Sequence, residues 1–179
     1  IEMWNDFLRR VGAKKGKRLP GFPLWEFAMT TRPKIDSDMP DWKIDFLKKN
    51  SAFYVENKTA IDSWRTRHPE LKNLNNSYRK FEWQAQNAET LWECIMHLRP
   101  SGIRAKRHTY VPALVAITQT SIVGKNRGTK RRLSVREGAR LQGFPEWFNF
   151  YDQKDSASFK QLGNAVNVGV IFQVMKALV

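Results

Sequence analysis

One cysteine, Cys94, stands in 179 residues. It excludes an intrachain disulfide and a zinc site built on several thiolates, and it fits a reducing compartment. No apolar run reaches the roughly 18–20 residues of a membrane span, and the start does not resemble a secretory signal. Acid is scarce: 17 Asp and Glu face 31 Lys and Arg, a net charge of +14. Such a balance favours an acidic partner, nucleic acid being the commonest. Residues 94–136 contain no acid at all, yet they hold Arg99, Arg104, Lys106, Arg107, Lys125, Arg127, Lys130, Arg131, Arg132 and Arg136. A face that merely keeps a domain soluble mixes both signs. The first residue is Ile1, not methionine, so a longer parent chain is expected. Internal repeats and low-complexity segments are lacking too. A chain of this length can bury a core of its own and makes one domain or at most two.

What is present centres on Arg132-Leu-Ser-Val-Arg-Glu-Gly-Ala-Arg-Leu-Gln-Gly-Phe-Pro145. Ser134 and Glu137 have capping-box spacing. Gly143 is placed for the left-handed residue after the last turn, and Pro145 forbids continuation. So short a helix is marginal alone and must dock on something. Its polar side chains, Arg136, Glu137, Arg140 and Gln142, exceed what solubility needs.

Other elements follow from period and punctuation. Trp4, Phe7, Leu8 and Val11 share a helical face, with Gly12 a stop. Lys14, Lys15, Lys17 and Arg18 follow in a basic loop. Leu19 to Trp25, with two prolines and a glycine, reads as a packed turn. Asp41 is placed to cap a helix carrying Trp42, Phe46 and Leu47. A second helix is expected over 59–67, with Ile61 and Trp64 inward and an end before Pro69. Phe81, Trp83 and Ala85 alternate with polar residues, as in a half-buried strand. Thr90 and Glu93 again have capping-box spacing and predict a helix carrying Leu91, Ile95 and Leu98. That helix would set Cys94 and His97 at i, i+3; without further ligands nearby, no metal site is expected. Residues 101–104 read as a turn with a basic edge, and 110–117 as an apolar strand bent by Pro112. Residues 118–121 and 124–128 read as polar, flexible loops. Gly163 and Asn164 are expected to turn into a final helix, with Val166, Val170, Val174 and Leu178 on one face, widened by Ile171, Phe172 and Met175. A helix this apolar is buried on most sides or marks an interface.

The 132–145 stretch, together with Lys160-Gln-Leu-Gly-Asn-Ala-Val166, resembles the last two blocks of the bacterial DNA cytosine-5 methyltransferases. The resemblance implies a methyl transfer from S-adenosylmethionine to C5 of a cytosine swung out of the duplex, in a restriction-modification setting, in the bacterial cytoplasm at the nucleoid. It also implies a division of the chain. Residues 1–128 would be a target-recognition domain of α+β class. Residues 129–179 would return to a doubly wound α/β methyltransferase domain that this sequence does not contain. No Gly-x-Gly cofactor loop occurs, Cys94 does not follow a proline, and the Glu-Asn pair at Glu56 and Asn57 lacks the family's surroundings. No catalytic residue is therefore assigned, and the chain alone is expected to be inactive. By the resemblance, Arg136 and Glu137 form an interdomain structural pair, while Asn164, Ala165 and Val166 line one side of the cofactor pocket. DNA contact is expected from Ser101, Arg104, Lys106, Arg107, Lys125, Arg127, Lys130 and Arg131, with residues 101–107 nearest the major groove; Lys and Arg neutralise phosphates, and Arg reads base edges. The expected partners are double-stranded DNA and an N-terminal catalytic domain or large subunit. The alternatives are a small subunit of a split enzyme and a non-catalytic nucleic-acid-binding module.

Overall fold

The structure, a computed structural model, describes residues 1–12, 19–86, 88–109, 111–114, 122–123 and 131–178. The first helix, α1 (Glu2–Phe7), relaxes into a wider turn at Leu8–Gly12. Trp4, Phe7, Leu8 and Val11 are all buried, as their spacing requires. The proline-rich stretch after it forms no helix; its last two residues become strand β1 (Leu24–Trp25). Helix α2 (Asp41–Glu56) starts at the residue expected to cap it, with Pro40 in the cap position and Asp41 in the first turn. There its charge complements the helix dipole. Helix α3 (Lys58–Arg67) buries Ile61 and Trp64 completely and stops before Pro69.

Strands β2 (Lys80–Gln84), β3 (Cys94–Arg99), β4 (Gly102–Arg107), β5 (Ile122–Val123) and β6 (Arg131–Arg132) join β1 in one mixed sheet of order β1-β2-β4-β3-β5-β6. β2 and β4 run parallel; the other neighbours are antiparallel. Register sorts the side chains. Phe81 stands against Ile103 and Trp83 against Ala105, with Leu98 and Met96 next across. These form the inner face. Trp4 stacks on Phe81 with ring centres 4.7 Å apart and lies 5.2 Å from Trp64. Both indoles find acceptors, Trp4 Nε1 on Tyr78 O at 2.9 Å and Trp64 Nε1 on Met3 O at 2.8 Å, so their burial leaves no unmet donor. The other face carries Glu82, Gln84, His97, Arg99, Arg104 and Lys106.

Four local expectations are corrected. Residues 94–99 are a strand, not a helix. Glu93 does bracket Thr90 and the amide of Glu89, but only a single 3-10 turn, Leu91–Glu93, results. Cys94, Met96 and Leu98 also satisfy a two-residue period, and β4 and β5 on either side supply ladder partners; tertiary pairing decides between two periods that the local pattern allows. The turn expected over 101–104 is confined to Pro100 and Ser101, because Gly102 already pairs with Arg99. Gly163 and Asn164 close a helix that was not expected, α5 (Asp155–Asn164), rather than opening the last one. Of the apolar stretch 110–117, residues 111–114 form no strand, and the rest lies outside the described residues. Leu114 instead packs on a second small core of Ala139, Phe159 and Leu162.

That second core joins α4 (Val135–Leu141) to α5. Gly138 permits the approach: a Cβ there would meet Leu162 Cδ1 at 2.9 Å. Helix α6 (Val168–Leu178) follows, and none of its residues is buried. No helix among the described residues is long and apolar enough to cross a membrane.

Candidate nucleic-acid interface and closing helices

The outer sheet face is organised by Glu82. Its Oε2 accepts from Arg99 Nη2 at 2.6 Å, and its Oε1 lies 3.0 Å from Arg104 Nε and accepts from Gln84 Nε2. One carboxylate thus serves two guanidinium groups, and the cluster keeps a surplus positive charge. Glu82 and Arg104 are directly opposite on β2 and β4, with His97 beyond Arg104 on β3. Such cross-strand neighbours are close enough to interact. Lys106 stands next along β4, opposite Gln84. Arg107, at the strand end, is exposed and donates to Gln86 Oε1 at 3.3 Å. Ser101 is exposed in the hairpin turn. The structure therefore brings Ser101, Arg104, Lys106 and Arg107 onto one hairpin, with Arg104 held by an ion pair. Lys125, Arg127 and Lys130 lie outside the described residues.

Arg131 is placed otherwise. From β6 its Nη1 and Nη2 grip Glu137 Oε2 and Oε1, both at 2.6 Å. Glu137 also accepts from the Ser134 amide at 2.9 Å, while Ser134 Oγ accepts from the Glu137 amide at 3.3 Å, which completes the capping box. The Arg131 guanidinium, and after it the Ser134 donors, hold the Glu137 carboxyl down to about 2. Arg136 does not pair with Glu137. Its Nη2 donates to Phe148 O at 2.8 Å, and Nη1 is buried without an acceptor among the described residues.

Beyond α4 the chain is sewn by two amides. Gln142 Nε2 donates to Leu162 O at 2.7 Å and to Ala165 O at 3.4 Å, and its own carbonyl accepts from the Val168 amide at 2.8 Å. Asn167 Nδ2 donates to Leu141 O at 3.0 Å, and Asn167 Oδ1 accepts from the Val170 amide at 3.1 Å, an N-terminal cap for α6. Gly143 has φ +74°, the left-handed value expected of it, and a Cβ there would stand 3.0 Å from the Gly169 amide. Asn164, Ala165 and Val166 form the junction between α5 and α6, with Asn164 and Val166 exposed and Ala165 half-buried.

Cys94 is buried in the inner core, where loss of solvent raises its thiol to about 12. It holds essentially no thiolate at neutral pH, and the thiolate is the nucleophile. No cluster of His, Cys, Asp and Glu suited to a metal occurs among the described residues.

Glu82 and Asn167 escaped the sequence reading, and Gln142 was singled out there only for its polar reach. Glu82 was visible as the outward acid in an alternating strand, shortly before a long acid-free interval that needs one. The tying role of the two amides depends on carbonyls twenty or more residues away and has no local signal.

Residues 10–179 match the profile described as C-5 cytosine-specific DNA methylase. The chain is 53% identical to the Type II methyltransferase M.AluI of Cellulosimicrobium cellulans, over 98% of this chain and 42% of that one. It is 31% identical to the Type II methyltransferase M.FnuDI of Fusobacterium nucleatum, covering 69% of this chain and 36% of the relative. The Type II methyltransferase M.MthTI of Methanothermobacter thermautotrophicus is 28% identical over 69% of this chain and 39% of its own. The chain spans less than half the length of these relatives. No solved structure gives a significant match.

Proposed function

The chain belongs to the C-5 cytosine-specific DNA methylase family, and from that premise we propose that it is the DNA-recognising and closing part of a cytosine-5 methyltransferase. Residues 1–128 face the DNA, and residues 129–179 return to a catalytic body supplied by the remaining length that the relatives possess. The observation that carries this reading is the pairing of two unlike surfaces: a polar sheet face with excess guanidinium charge, and a terminal helix whose broad apolar face is exposed. Lys106, Arg107 and Ser101 meet the DNA from the hairpin. Arg104, already fixed by Glu82, presents its remaining donors to a base edge. Arg131 anchors the closing helix and contributes to DNA contact only through its field. Arg136 and Glu137 organise the junction separately, one on Phe148 O and one on Arg131.

S-adenosylmethionine fits this chain only as a partial wall. Asn164 and Val166 stand exposed at the α5–α6 junction, while the Ala165 amide and carbonyl are engaged by Gln161 and Gln142. When bound, the cofactor would supply the methyl group. The chain's own part is to hold that junction rigid against α4. Its sole thiol is buried and protonated, so the covalent attack on the cytosine comes from the catalytic body. The Type II designation of the relatives supports service in a restriction-modification system.

A non-catalytic nucleic-acid-binding module gives no reason for a terminal helix with every apolar side chain in water. Binding of the chain to duplex DNA at two salt concentrations tests the reading. K106A and R107A should each weaken binding and each lower the salt dependence by about one counterion. Methyl transfer should be undetectable for the chain alone and should appear when the catalytic part of the parent protein is added. Transfer by the purified chain would overturn the proposal.

A further inference from the structure

The outer sheet face also holds a cleft that the reading above leaves unused. It is about 270 Å³ in volume and open to solvent. Helix α2 lends it Trp42, β1 lends Trp25, β2 lends Lys80 and Glu82, and the β3–β4 hairpin lends Arg99 and Ser101. Trp42 is 59% exposed, although nothing in the core requires a ring of that size in water. It ends an aromatic run: Trp42 lies 6.2 Å from Phe46, and Phe46 5.5 Å from Trp25. Lys80 Nζ sits 5.4 Å from the Trp25 ring centre, which keeps a cation at the cleft wall. Arg99 commits Nη2 to Glu82, but its buried Nε has no acceptor among the described residues. A buried N–H without a partner is costly, so an acceptor brought by a ligand would be favoured there.

We propose that this cleft receives a single unpaired nucleobase of the bound DNA, distinct from the cytosine that is methylated. The proposal rests on the DNA-binding reading and extends it. Tryptophan offers a stacking surface that any base can use. Ser101, Glu82 and Lys80 offer both donors and acceptors to a base edge, and Arg99 Nε meets a ring nitrogen or carbonyl oxygen. The volume lies just under the roughly 300 Å³ at which drug-sized pockets begin, room for one ring system rather than a nucleotide. A base inside a duplex cannot enter, so occupancy requires a base already out of the stack.

The test uses the full chain and three duplexes of one sequence: fully paired, carrying a one-nucleotide bulge, and carrying the same bulge with its base removed. Equilibrium binding is read by fluorescence anisotropy. The intact bulge should bind roughly tenfold tighter than the abasic bulge, the scale of one stacked base. W42A should erase that preference, leaving the fully paired affinity and the salt slope unchanged, and W42F should restore most of it. Because Trp42 is mainly exposed, an unaltered melting curve checks that the variant folds. Equal binding of the two bulges by the parent chain, or an undiminished preference in W42A, would overturn the cleft assignment while leaving duplex recognition standing. Failure of the parent chain to bind any of the three would sink both.

Discussion

Glu137 concentrates more bonding than any other side chain of the closing segment. Its carboxyl, held near 2 chiefly by Arg131, lies below the unfolded value of 4.5. A group depressed in this way stabilises the folded state fully above about pH 4.5, and the contribution is lost as pH falls towards 2. The pair is partly exposed, so solvent screening limits it to about 1 kcal/mol. The melting temperature of the chain should fall by roughly 2–4 °C over that window beyond the fall seen in E137Q, which calorimetry across pH would record. Ser134→Ala removes the other half of the box and should cost about 1 kcal/mol. Gly102 is a sharper case. Its φ is +131°, and a Cβ would lie 2.8 Å from Lys80 Cβ and 3.0 Å from the Lys80 carbonyl. Neither backbone nor neighbour can yield, so Gly102→Ala should destabilise by about 2–3 kcal/mol in urea unfolding. A change of this size would open the β2–β4 pairing that carries the Glu82 cluster.

Among elements, α6 depends on what precedes it. Asn167 caps its first turn and also ties it to Leu141 O, so Asn167→Ala should speed hydrogen exchange in residues 168–171 by roughly tenfold while α3 amides keep their rates. Unchanged exchange would show that Gln142 alone suffices. How legible the elements were varied for physical reasons. The capped helix α4 was readable to the residue, since caps, Gly143 and Pro145 are local signals. Helix α3 and strand β2 followed from clean periods. Strand β3 did not, because Cys94 to Arg99 suits both periods and only its sheet neighbours choose. Helix α5 was missed because its mixed, weakly patterned sequence is stabilised by Phe159 and Leu162 against Gly138 and Ala139.

On the scale of the whole molecule, the fold class was readable and the strand order was not. β2 runs beside β4 with β3 looped out to the far side, a choice made by contacts distant in sequence. Of the candidate site, the basic run was visible from charge alone, whereas the hairpin that carries Arg99 to Arg107 and the commitment of Arg131 to Glu137 were not. The exposed side chains of α6, among them Phe172 at 63% and Leu178 at 76%, should make the isolated chain self-associate. F172E should lower its sedimentation mass without lowering its melting temperature, since no internal contact of the core is lost. A chain whose closing helix, Val168–Leu178, buries none of its side chains also has a short life expectancy in a cell. Chaperones and proteases read such surfaces as unfinished work, so its abundance should track the supply of whatever shelters that helix, a dosage control written into hydrophobicity alone.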